Sequence, residues 1–342
     1  MLGTATFNYQ YNDSPEDLPS NSIVKLALTH HNPGFDTSPY YGPSEILLGK
    51  ALKEADAPRS SYFLATKAGR IASATFDYSP TAIRASVLRS LERLGTTYVD
   101  LVYCHDVEFV SSDEVVGAVR ELRKLRDEGV IRYAGISGYP VPVLASLAMK
   151  VLGETGEPLD AVLSYSNFCV QNTTLGSDEN RGRFRKAGVN VVLNGSILSM
   201  GLLTSRGIDA SPMAAWHPSP PALRTVCQGL SSITHAEGMS LEEVCIHWAL
   251  ENWVKQGAEF GTTVGIGGSG PLGVTVVGVS SVAELEQTFK VWRNVLSKER
   301  RELEPMDVDF IVRTKMWPAL GQWKDFTWES SGKDSVNQMS NK

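Results

Sequence analysis

Short apolar runs rich in β-branched residues alternate with longer runs whose apolar residues recur at helical spacing. This alternation constrains the fold more than any other feature of the chain. Strand-like segments fall near residues 2–6, 33–36, 62–66, 99–104, 131–136, 160–165, 190–194 and 274–278. Most are apolar throughout rather than alternating, which suits parallel strands covered on both faces. Between them lie helical patterns such as "TAIRASVLRSLERL", "DEVVGAVRELRKLRDEG" and "PVPVLASLAMKVL". Alternating strand and helix implies a parallel α/β fold. A doubly wound open sheet and a closed (β/α)8 TIM barrel both meet that description. Eight strand–helix units in succession, with no linker and no second domain, favour the barrel, whose usual length is about 250 residues before insertions. The expected division is one barrel domain over 1–315 and a polar, partly disordered C-terminal extension over 316–342. The surplus within the barrel lies near 204–273.

Composition narrows the function classes. The chain has 342 residues, a formal net charge of -6, 42% hydrophobic and 20% charged residues. An acidic surface of this kind repels nucleic acid and anionic membranes, so neither is expected as a partner. No apolar run is long enough to span a bilayer, and "MLGTATFNYQ" lacks the regions of a signal peptide. A cytoplasmic location is the expectation. Cys104, Cys169, Cys227 and Cys245 are widely spaced, which argues for buried thiols rather than disulfides or a metal site. "NTT" and "NGS" match the glycosylation pattern by chance in a chain without a secretory signal. "GIGGSG", Gly265 to Gly270, matches GxGxxG, but Pro271 and a strand follow it where a dinucleotide fingerprint needs a helix.

In a βα barrel, chemistry gathers at the C-terminal ends of the strands. The second strand ends in "FDTSPYYG", the third in "ATKAG" and the fourth in "YCHD". Three successive strands therefore aim Asp36, Tyr40, Tyr41, Lys67, His105 and Asp106 at one mouth. Taken singly, each has a plain structural reading. Together they form a logical set. A phenol near a Lys cation is expected to titrate below its usual pKa. Asp36 would hold Lys67 charged, and His105 would orient a substrate oxygen. The set suits proton transfer at a carbonyl or carbinol oxygen.

The order and spacing of "FDTSPYYGPSEILLGKAL", "ATKAG", "DLVYCHD", "GVIRYAGIS", "SMGLLT" and "VVGVSS" resemble the aldo-keto reductases. The resemblance runs from residue 2 to about 297. It implies a catalytic tetrad of Asp36, Tyr41, Lys67 and His105, with Tyr41 as proton donor or acceptor and hydride passing between substrate and a nicotinamide. "FDTSPYYGPSE", "YVDLVYCHDVEF", "LSYSNFCVQN" and "WHPSPP" are closely similar to the branch containing L-galactose dehydrogenases and fungal D-arabinose 1-dehydrogenases. By that likeness the substrate is a free aldose, oxidised at its anomeric carbon to an aldonolactone. Tyr40, Asp106, Trp216 and His217 are then substrate candidates.

For the cofactor, the resemblance implies contacts at Ser137, Ser164, Ser196, Leu198 and Gly201. The chain departs from the family at Gly138, where an Asn is usual, and at Gly195, where a stacking Tyr is usual. Gly278 and Glu284 stand where phosphate-preferring relatives carry a Lys and an Arg. A carboxylate there repels a 2′-phosphate and can accept a ribose hydroxyl, so NAD is expected over NADP. Ser280 and Ser281, at a helix start, are candidates for a phosphate. No metal is expected. The competing readings are an NADPH-dependent reductase of small aldehydes or ketones, and a nicotinamide-binding regulatory subunit. A sensor has no need of both Tyr41 and Lys67, which weighs against the latter. A monomer is the family expectation. The start of the chain falls inside the first strand, without the family's usual β-hairpin. Truncation and lowered stability are therefore expected.

Overall fold

The computed structural model describes residues 1–30, 33–263, 270–296 and 307–329. Eight parallel strands close on themselves: β1 (Leu2–Gly3), β2 (Gly34–Asp36), β3 (Phe63–Ala68), β6 (Val99–His105), β7 (Ile131–Gly138), β8 (Ala161–Tyr165), β9 (Val191–Gly195) and β10 (Val274–Gly278). Closure comes from β1, which pairs with β2 on one side and β10 on the other. This is the expected (β/α)8 barrel. The first strand is shorter than its sequence pattern, because the chain turns after Gly3, with Phe7 N–H donating to Thr4 O at 2.9 Å.

Why the strands read as apolar throughout follows from the two-residue period. In β6, Leu101 and Tyr103 point into the barrel, while Val102 and Cys104 face the helices. In β8, Ala161 and Leu163 point in and Val162 points out. At the lower end, Met1, Phe63, Val191 and Val274 pack against the inner cluster. Side chains thus fill the barrel and leave its upper mouth for chemistry.

The helices that wrap the barrel are α1 (Ser20–Leu28), α2 (Ser44–Glu54), α3 (Pro80–Leu94), α4 (Ser112–Asp127), α5 (Val141–Thr155), α6 (Asp178–Lys186), α7 (Pro221–Ala236), α8 (Leu241–Gln256) and α9 (Val282–Leu296). Their ends carry local signals. Ser79 Oγ accepts from Ala82 N–H to start α3, and Gly95 stops that helix in the left-handed region. Ser111 with Glu114, and Ser240 with Glu243, form capping boxes on α4 and α8. His247 and Trp248 lie within α8, where Trp248 is buried.

Two additions reach over the mouth. The hairpin β4 (Arg70–Ala72) and β5 (Thr75–Phe76) follows β3 directly; its strands are too short to register as a pattern. After α10 (Val308–Ile311) a widened turn, Val312–Met316, leads into α11 (Trp317–Leu320). The described part of the expected polar extension is firmly docked. Trp317 Nε1 donates to Val170 O at 3.0 Å, Gln171 Nε2 donates to Trp323 O and Phe326 O, and Asp325 Oδ1 accepts from Thr173 N–H at 2.6 Å. Trp328 is buried at the end of this strap. The rest of that extension, and nearly all of the "GIGGSG" loop, lie outside the described residues.

Gly69 links β3 to the hairpin and has φ +103, a region closed to most side chains. An added Cβ would come within 2.4 Å of the Tyr78 ring, and Tyr78 Oη donates to His105 O at 2.5 Å. Gly69→Ala should therefore cost about 1–3 kcal/mol, the range for overpacking in a filled site. A urea-unfolding midpoint equal to that of the parent would show that Tyr78 gives way freely.

Candidate active site

Asp36 ends β2 and Lys67 lies near the end of β3, both pointing inward. Lys67 Nζ donates to Asp36 Oδ1 at 2.6 Å and to Thr37 O at 2.9 Å. The two side chains are only 2% and 5% exposed, so this is an ion pair inside the barrel. Burial raises the Asp36 carboxyl, and the Lys67 charge opposes that shift.

Tyr41 stands above the pair. Its place is set by a tight turn, with Tyr41 N–H donating to Ser38 O and Ser44 N–H donating to Tyr41 O. Lys67 Nζ lies 4.8 Å from the Tyr41 ring centroid. The expected lowering of the Tyr41 pKa does not occur. Burial pushes the phenol well above its ordinary value, and Asp36 and Asp106 add to the rise. Asp36 sits 2.6 Å from Lys67, so the cation's field at the phenol is largely cancelled and burial decides the direction. Tyr41 is a neutral phenol at neutral pH.

His105 ends β6, with its ring edge-on to Tyr41 (centroids 5.6 Å apart) and to Tyr40 (5.8 Å). Burial lowers its pKa to about 3, so the imidazole is neutral. Ser38 Oγ lies 3.1 Å from Nδ1 and already accepts from Tyr40 N–H. With the Ser38 hydroxyl donating to Nδ1, the ring carries its proton on Nε2. That nitrogen lies 3.5 Å from Asp106 Oδ2.

These groups line the head of a cavity of about 780 Å³. It runs across the barrel mouth to the start of α9. Trp216 walls one side, anchored by its indole N–H to Gln10 O at 2.9 Å. Trp328 from the C-terminal strap forms another wall and stacks on Tyr139, with centroids 5.0 Å apart.

A family model described as "Aldo/keto reductase family" matches residues 1–303. The chain belongs to the aldo/keto reductase family. It is 40% identical over 305 residues to a D-arabinose 1-dehydrogenase of Saccharomyces cerevisiae, covering 88% of this chain and 84% of the relative. It is 34% identical over 299 residues to an L-galactose dehydrogenase of Arabidopsis thaliana, covering 86% and 82%. Among solved structures, the glycerol dehydrogenase of Gluconobacter oxydans matches with a TM-score of 0.60 at 21% identity, covering 97% of this chain and 94% of that one. At that identity the likeness shows the fold. Membership makes the chain an oxidoreductase that uses a nicotinamide cofactor and a small-molecule substrate.

The lining of the cavity suits such a dinucleotide. Ser137, Ser196, Leu198, Gly201, Gly278, Ser280 and Glu284 face it. Ser164 does not. It is on the outward face of β8, bonded to Asn167 Nδ2 at 3.0 Å, while its neighbours Leu163 and Tyr165 point into the cavity. At Gly195 an added Cβ would meet ordinary contacts with Leu163, Tyr165 and Ser164 O at 3.4–3.7 Å, and the glycine itself faces the cavity.

The start of α9 differs from the phosphate cradle expected at Ser280 and Ser281. Glu284 Oε2 accepts from Ser280 N–H at 2.7 Å, and Ser281 Oγ accepts from Glu284 N–H. The helix therefore caps itself, and Ser281 does not face the cavity. His217 is also committed elsewhere. Nε2 faces Ser199 O and Nδ1 accepts from Ser219 N–H, both at 3.1 Å, and the ring is buried behind Trp216. It holds the loop rather than facing substrate.

Arg70, Tyr165, Arg206 and Trp328 line the cavity without having been anticipated. Arg70 lies in a hairpin with no sequence pattern, and Trp328 in a polar-looking tail. A Tyr two residues beyond an inward Leu on β8 is the one signal that could have been read. Among the described residues no helix is long and apolar enough to cross a membrane, and no cluster of His, Cys, Asp or Glu is placed to hold a metal. All four cysteines are buried and free.

Beside the site, Glu108 is buried with Oε1 accepting from Tyr139 N–H at 2.9 Å. Burial, then the Asp106 charge, pushes its pKa from 4.5 to about 8. The folded state therefore keeps a proton that the unfolded chain releases, and stability falls as pH rises from about 4.5 to 8. Glu108→Gln keeps the acceptor and removes this dependence. It should melt like the parent near pH about 4 and several degrees higher near pH about 9. Parallel melting curves at both values would show that Glu108 is not buried as a neutral acid.

Proposed function

We propose that this enzyme oxidises the anomeric hydroxyl of a free aldose of the D-arabinose or L-galactose type to an aldonolactone, with NAD as hydride acceptor. The observation that carries the reading is the buried Asp36–Lys67 pair beneath Tyr41 and a neutral His105, at the head of a cavity with a polar rim. The extended similarity to two sugar 1-dehydrogenases supplies the substrate class. A nicotinamide bound here supplies the acceptor for hydride from the sugar's C1.

His105 Nε2–H donates to the C1 oxygen and holds it beside Tyr41. Tyr41 takes the hydroxyl proton as hydride leaves C1. It must first shed its own proton, and Lys67 and Asp36 form the polar path below it. Because burial raises the Tyr41 pKa, the oxidative rate, which uses the scarce phenolate, should climb with pH from about 6 to 10, while the reverse reduction, which uses the abundant phenol, should stay flat over the same range. A flat oxidative profile would contradict Tyr41 as the proton carrier.

NAD is favoured by Glu284, whose carboxylate is tied to Ser280 N–H and faces the far end of the cavity. Arg206 also faces the cavity and weighs on the side of NADP, since a guanidinium attracts a 2′-phosphate. The test is turnover of D-arabinose, L-galactose and L-fucose with either cofactor. NAD-dependent oxidation, reduced at least about 10²-fold by Tyr41→Phe, supports the reading. A Glu284→Ala variant should move the cofactor preference toward NADP by about tenfold. Preference for NADP in the parent would overturn the role given to Glu284. Turnover limited to simple aldehydes would overturn the sugar.

A further inference from the structure

Arg70 is fixed over the mouth by its own hairpin. Nε donates to Ala72 O at 3.4 Å and Nη2 donates to Ser73 O at 2.9 Å. The guanidinium carbon lies over the Tyr40 ring, 4.0 Å from its centroid, and Nη1 donates to Asp106 Oδ2. Tyr40 Oη accepts from Gln10 Nε2 at 3.1 Å, and Gln10 O accepts the Trp216 indole N–H. A continuous polar chain thus runs around the rim from Trp216 to Asp106. Asp106 has φ 56, a left-handed conformation that Asp tolerates better than most residues. This bend turns its carboxylate back beside His105, with Oδ2 3.5 Å from Nε2.

The charge arithmetic of this pair selects a class of ligand. An unpaired Arg at the mouth would favour a carboxylate or phosphate, and an unpaired Asp would favour an amine. A closed pair has no net charge. Its guanidinium keeps N–H groups beyond those used by Asp106, Ala72 and Ser73, and its carboxylate keeps lone pairs. Donor and acceptor side by side match a neutral hydroxyl, which needs both. In the reading above His105 Nε2 donates to the C1 oxygen, and Asp106 Oδ2 lies 3.5 Å from that nitrogen, so the pair borders the place a neighbouring hydroxyl would take.

We propose that Arg70 and Asp106 form the subsite for the hydroxyl on C2, so that the enzyme selects neutral aldoses bearing that group. This rests on the aldose reading above and adds to it the position that is recognised. Arg70 is then a specificity-determining residue, while the tetrad performs the transfer.

The test compares kcat/KM for D-arabinose with that for 2-deoxy-D-ribose, its 2-deoxy counterpart. The parent enzyme should prefer D-arabinose by about tenfold to a hundredfold, the usual effect of a missing hydrogen bond to a charged group. In Arg70→Met the preference for D-arabinose over the deoxy sugar should collapse toward one, whatever common loss both sugars share. Arg70→Lys keeps the charge but loses the planar fork, and should fall between. A purely structural role would lower both sugars together and leave their ratio unchanged, and that result overturns the proposal. Equal use of the two sugars by the parent overturns it as well, with the aldose reading intact. Turnover of neither sugar by a folded, cofactor-binding parent removes the aldose reading and the proposal with it.

Discussion

The ion pair of Lys67 and Asp36 is the constraint around which the upper half of the barrel is organised. Both charges lie inside, where transfer from water is costly unless each finds a partner. Each has one: the carboxylate takes the ammonium at 2.6 Å, and the ammonium takes Thr37 O as well. Removing either would strand a buried charge, a loss of about 3–5 kcal/mol. A protein that needed only a filled barrel would place aliphatic groups here. Keeping an ion pair instead is a stability sacrifice that makes sense where a proton has to move. The pair also explains the state of its neighbours. Lys67's field is spent on Asp36, so burial decides the titration of Tyr41, and the phenol stays protonated.

The proposed substrate end and the proposed cofactor end of the cavity are built by different means. At the substrate end, residues from distant parts of the chain form one network: Gln10, Tyr40, Arg70, Asp106, Trp216 and, from the C-terminal strap, Trp328. At the cofactor end, the lining comes from the ends of β7, β9 and β10 and the start of α9, with small side chains that leave room for a ligand. Glycine at 195 fits this pattern, since the wall it offers is backbone flanked by Leu163 and Tyr165.

The barrel was legible because parallel strands buried on both faces leave apolar runs, and each run is followed by a helix with its own period. Asp36, Lys67 and His105 were legible for a related reason: a charged or imidazole side chain ending an apolar strand stands out. What failed to show was anything fixed by inward versus outward alternation in an all-apolar strand. Ser164 illustrates this, since a shift of one residue turns it from cavity to helix face. Hydrogen-bond commitments were equally hidden. His217 and Ser281 have suitable chemistry for ligands, yet backbone groups beside them claim it first. Arg70 and Trp328 were missed because a three-residue strand and a short docked strap carry no periodicity.

The most direct test of the central claim is label transfer. An aldose carrying deuterium at C1 is incubated with NAD and the enzyme, and deuterium in the reduced nicotinamide is measured by mass spectrometry. The account predicts transfer of the label from C1 into the reduced cofactor by the parent and, in much slower reaction, by Tyr41→Phe and Lys67→Met while cofactor binding persists. Reduced cofactor without label, or Lys67→Met turning over at the parent rate, would contradict it.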